Sequence, residues 1–189
     1  MFSFSFPSFL KLTLISAAFL PFSLAAQSVF TCDQGQLTLI SEAPLETIRA
    51  TSTQVKGLID PVKRSFAFSV NIVTFQGFNS PLQREHFNEN YLESDKYPKA
   101  TFNGKIIETV DLTQNGVYIV RAKGMMNIHG VEMERIIKAE VEVKGGQMTV
   151  KADFTVLLTE HNITIPKIVK QKISEEVKVS INAVFSKST

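Results

Sequence analysis

The residues whose types could carry chemistry are few, and the densest group is His86 with Glu85, Glu89 and Glu93, followed by Asp95. His86 and Glu89 are three apart, so on a helix they share a face and could supply two metal ligands or an acid–base pair acting on a lipid. The spacing stops there. No HxxxH or HExxH pattern is present, and His129 and His161 sit in separate segments without ligand spacing. The single cysteine, Cys32, has no histidine near it in sequence, and neither a GxSxG elbow nor a glycine-rich phosphate loop occurs. These residues therefore assign no catalytic group, no metal ligand and no cofactor. The acids read as a solvated helix face, and His129 as a turn residue held by a hydrogen bond.

The element that must position His86 is well marked. Ser80 stands at an N-cap position, Pro81 at the first helical position and Gln83 at the third, which predicts a helix over 81–93. Tyr97-Pro98 then restarts the chain as extended structure. Leu82, Phe87 and Tyr91 make an apolar stripe on this helix, which serves either as packing at the end of a barrel or as a lid over a ligand opening.

Around the helix, apolar and polar residues alternate, as in Phe66-Ala67-Phe68-Ser69-Val70-Asn71-Ile72, and strands are predicted near 37–41, 45–52, 54–59, 66–75, 101–112, 117–128, 131–143, 147–158 and 177–185. One apolar face per strand means an antiparallel sheet with one side on a core, closed as a barrel or stacked as a sandwich. A two-residue turn at Gly145-Gly146 sets Val143 opposite Met148, Val141 opposite Val150, Ala139 opposite Ala152 and Ile137 opposite Phe154. A three-residue loop at Gln114-Asn115-Gly116 sets Leu112 opposite Tyr118, Val110 opposite Val120 and Phe102 opposite Ile128. Segment 159–176 has no clear pattern, although Ile168, Val169, Lys172 and Ile173 fit one face of a short helix.

Residues 1–26 have the form of a cleaved signal peptide: Lys11, then the apolar run LTLISAAFLPFSLAA, too short and too interrupted by Pro21 to span a bilayer. Residues 27–189 then form one domain, and the expected location is periplasmic or secreted. The formal charge is +2, and losing Lys11 with no acid leaves +1. That balance, without a basic run, argues against nucleic acid or an anionic membrane surface as a partner, and the short, Pro-interrupted leader argues against stable membrane insertion. With Cys32 alone there is no internal disulfide, so stability rests on a packed core. A homodimer stays possible.

An eight-stranded barrel is just wide enough to be filled by side chains or to hold one small ligand. Gly104, Ala122, Gly124, Ala139, Ala152 and Ala183 fall on the inferred inner face, where small residues leave space or fit the taper.

Two blocks resemble a known family: Glu93-Ser94-Asp95-Lys96-Tyr97-Pro98-Lys99-Ala100-Thr101-Phe102, and Gly124-Met125-Met126-Asn127-Ile128-His129-Gly130-Val131. Both are similar to motifs of the YceI-like family of polyisoprenoid-binding proteins, in the same order, and the resemblance runs over about residues 36–185. The chain departs from the family pattern at Val131-Glu132-Met133-Glu134-Arg135 and along 162–178. The resemblance implies an all-β fold: an extended, antiparallel, eight-stranded, lipocalin-like barrel with one short helix covering an opening. It also implies a non-enzymatic exported protein that holds an isoprenoid lipid or quinone in an apolar tunnel.

The tunnel lining expected on that basis is Phe66, Phe68, Val70, Ile72, Phe102, Tyr118, Val120, Met126, Ile128, Val143, Met148, Val150, Phe154, Val156, Val179 and Ile181, with Leu82, Phe87 and Tyr91 as the lid. Two other functions compete with it. One is an interaction module with a filled barrel; the other is a lipid hydrolase or isomerase using His86 and Glu89.

Overall fold

A computed structural model of the chain describes Met1 and residues 29–188. The expected signal segment and its cleavage site fall on residues outside that range. Eight strands, β1 (Phe30–Ala43), β2 (Glu46–Asp60), β3 (Ser65–Asn71), β4 (Lys99–Ile106), β5 (Gly116–Ile128), β6 (Val131–Lys144), β7 (Gln147–Leu157) and β8 (Glu176–Lys187), close into an antiparallel barrel in sequence order. β8 returns to pair with β1, setting Leu39 opposite Val179. The expected strands at 45–52 and 54–59 are one strand, and the one expected over 66–75 stops at Asn71, where residues Ile72–Thr74 turn as a 3-10 helix.

In an antiparallel barrel the connections alternate between two ends. One end carries the β1–β2, β5–β6 and β7–β8 connections together with the helix between β3 and β4; it is called the mouth here. The other end is filled. Phe30, Leu112, Val120, Val143, Met148 and Phe185 are each at most 3 % exposed and pack together there.

Two registers differ from expectation. β4 pairs with β5 with Phe102 opposite Met126, not Ile128. The ladder ends at Ile106, and the connection folds on itself, the Asp111 carboxylate accepting from Thr113 N (2.9 Å) and Asp111 O from Gln114 N (3.3 Å). The slip is two residues, so every side chain keeps its face. In the β6–β7 hairpin Val143–Met148 and Val141–Val150 pair as expected, but the ladder ends at Glu140–Lys151. The expected pairs Ala139–Ala152 and Ile137–Phe154 do not form.

The helix α1 (Pro81–His86) starts as predicted, Ser80 Oγ accepting from Gln83 N at 3.2 Å. It does not continue in α form to 93. The Asn88 side chain donates to Arg84 O (2.8 Å), and residues Phe87–Tyr91 make a π turn whose Leu92 N–H bonds Phe87 O at 2.9 Å. The segment before β8 holds 3-10 turns at Leu158–His161 and Lys167–Val169 rather than an α-helix. No helix among the described residues is long and apolar enough to cross a membrane.

Candidate ligand cavity

Above the filled end the barrel is hollow. A cavity of about 430 Å³ lies between the inner faces of the strands and the elements closing the mouth. Of the residues expected to line it, Phe66, Phe68, Val70, Ile72, Phe87, Tyr91, Phe102, Met126, Ile128, Val150, Phe154, Val156, Val179 and Ile181 do so. Val120, Val143 and Met148 point inward but belong to the filled end, and Tyr118 packs beside them with its hydroxyl donating to Gln114 O (3.0 Å). Alternation gives the face of a strand residue, not its height in the barrel.

Leu82 is 56 % exposed and does not line the cavity. Leu82 and Phe87 are five apart, about 140° round a helix, whereas Phe87 and Tyr91 are four apart and share a side. Phe87 packs against Phe75 and Phe78, with ring centroids at 5.7 and 5.0 Å.

Leu37, Leu39, Ile48, Ala50 and Val55 of β1 and β2 also line the cavity, as do Phe75, Phe78, Ile163, Ile165, Val169, Ile173 and Val177. None of these is among the residues expected to line it. Alternation at Leu37/Leu39 and Ile163/Ile165 was a usable signal, while Phe75 and Phe78 sit in irregular backbone and gave none. Ala122, Ala139 and Ala152 leave space in the wall. Gly104 and Gly124 do different work. They pair across β4 and β5, and a Cβ on either would lie 2.1 Å from the opposite backbone, so they allow close strand approach.

Polar lining gathers at the mouth. Glu46 Oε1 accepts from Gln83 Nε2 (2.6 Å) and Asn79 Nδ2 (2.9 Å), tying the lid to the start of β2. Hydrogen bonds from Asn79 and Gln83, helped by nearby Lys172, hold the Glu46 carboxyl below its ordinary range. Burial pushes the Tyr91 hydroxyl up. His86 lines the cavity but Glu89 is exposed to solvent, so the two do not converge on a reacting centre. Among the described residues no group of three His, Cys, Asp or Glu could hold a metal ion.

Phe102, Met126 and Ile128 of the two sequence blocks line the cavity, whereas Glu93 and Tyr97 of one block meet His129 and Gly130 of the other beside the mouth. His129 Nε2 lies 2.5 Å from Glu93 Oε2 and Nδ1 lies 3.0 Å from His161 O, so each ring nitrogen faces an oxygen. Tyr97 packs edge-on to this ring, 4.6 Å between centroids. A Cβ at Gly130, whose φ is +73°, would lie 2.4 Å from the Tyr97 ring. These residues brace the lid's exit, the β5–β6 turn and the turn at Leu158–His161 against one another. The YceI-like domain matches residues 26–185.

The chain belongs to the YceI-like family.

Solved structures agree on the fold. A polyisoprenoid binding domain from Saccharophagus degradans, implicated in plant cell wall breakdown, superposes with a TM-score of 0.70 at 12% identity, over 86% of this chain and 99% of that one. BcnA of Burkholderia cenocepacia gives 0.65 at 16%, over 79% and 95%. A YceI protein of Campylobacter jejuni gives 0.58 at 13%, over 74% and 84%. No curated protein matches the chain in sequence. At such identities the likeness is one of fold, the YceI-like barrel.

Proposed function

We propose that the protein is an exported, non-enzymatic carrier that holds one lipophilic molecule, an isoprenoid lipid or quinone, inside the barrel. The observation that carries this reading is the cavity: its wall is apolar from strand to strand, and polar groups occur mainly at the mouth. Its volume lies within the roughly 300–1,000 Å³ of small-molecule sites. Each methylene buried there contributes about 0.8 kcal/mol, so a chain of several isoprene units is held without a charged partner. The related domain described as polyisoprenoid binding supports the choice of ligand class. Residues 1–26 as a cleaved leader belong to the same reading, with the periplasm or the exterior as destination. A filled-barrel interaction module accounts for the lower half of the barrel and leaves the upper half unexplained.

Titration with a lipophilic fluorophore tests the site. Wild-type protein is expected to take up one equivalent and to release it to a long isoprenoid alcohol or quinone. Ala122→Phe, which puts a ring into the cavity, is expected to lose most of that uptake while still unfolding cooperatively. Undiminished uptake by a folded Ala122→Phe would place the probe elsewhere.

A further inference from the structure

We propose that the wall between β6 and β7 is a side portal through which the ligand passes, latched by Arg135; this rests on the carrier reading above. The β6–β7 ladder ends at Glu140–Lys151, although β6 continues down to Val131 and β7 on to Leu157. Among the described residues no backbone hydrogen bond joins these two stretches. The half of β2 that runs beyond its β3 ladder is covered differently. Thr51 and Gln76 exchange two backbone bonds there (2.8 and 3.0 Å), and the lid is tied to Glu46. Opening any laddered part of the wall breaks a series of backbone bonds. The β6–β7 seam has none to break.

One side chain spans the seam at mid-height. Arg135 of β6 donates through Nη2 to Thr155 O of β7 (2.8 Å) and through Nη1 to Glu160 Oε2 (2.7 Å). Inside, Ala139 and Ala152 come directly after the last pair, and both line the cavity with Ile137 and Phe154. Two methyl groups leave an apolar passage where larger side chains would plug it. Outside, Ile136 is 56 % exposed on the β6 edge, an apolar step leading to the seam. The far end of the barrel is filled, and the mouth is held by Phe87 against Phe75 and Phe78 and by the Glu46 bonds.

Stopped-flow exchange of N-phenyl-1-naphthylamine reads the route directly. Arg135→Ala should raise association and dissociation rates together, by about fivefold for a net hydrogen bond lost, leaving Kd within about twofold. A second protein carries the test if that one is unstable. Lys138→Cys with Asp153→Cys puts thiols at two exposed positions that the β6–β7 register, extended past its last pair Glu140–Lys151, would set opposite each other across the seam. Joining them with a short, reducible bis-maleimide staple should slow both rates by about tenfold or more, and reduction should restore them. Stapled protein that exchanges at the unstapled rate overturns the portal. Wild-type protein that takes up no probe overturns the carrier reading itself, and the portal with it.

Discussion

His161 has no exposed surface, and its Nε2 has no hydrogen-bond partner, while Nδ1 lies 3.4 Å from Val131 O. Burial pulls its pKa below the ordinary histidine value. The unfolded chain therefore binds a proton at His161 near pH 6.5 that the folded chain refuses until more acidic pH. This residue's contribution is fully present above about pH 6.5 and is lost as pH falls toward the lowered folded value. His161→Leu is expected to flatten that acid-side loss in a series of thermal melts between pH 7.5 and 5, Glu160 and Arg135 staying in place. An unchanged slope would show that other groups set it.

At the scale of elements, the lid is a short capped helix continued by a π turn, and its grip on the barrel is aromatic below and polar at its start. Phe87 is the residue common to the cavity and to the Phe75/Phe78 cluster. Phe87→Ala should weaken ligand retention by about tenfold, equal to ~1.4 kcal/mol, and should lower the unfolding free energy of the empty protein by less. Unchanged retention with a large loss of stability would make Phe87 core and nothing more. The start of this helix was legible in sequence because Ser80, Pro81 and Gln83 satisfy its first turn locally. Its π turn was not, because it depends on an Asn88 side chain taking a backbone carbonyl. Leu82 shows the limit of grouping apolar residues without checking the angle between them.

For the whole molecule, the inner and outer faces of the barrel were readable from alternation. They survived a two-residue error of register between β4 and β5, since such a slip preserves face. Alternation is blind to height and to whether facing strands bond. Val120, Val143 and Met148 therefore looked like Val150 and Val156 although they fill the lower half, and the unpaired β6–β7 edges were hidden behind a plausible hairpin. Both features come from contacts far apart in sequence, with Phe30, Leu112 and Phe185 closing one end and Arg135 reaching Glu160 across the other. On the carrier reading, the upper half of the barrel holds a lipid. The most direct measurement is organic extraction and mass spectrometry of protein purified without detergent. About one long-chain apolar lipid per protein is expected, seated in the barrel cavity. Repeated recovery of protein that carries no lipid and takes up no lipophilic dye would contradict it.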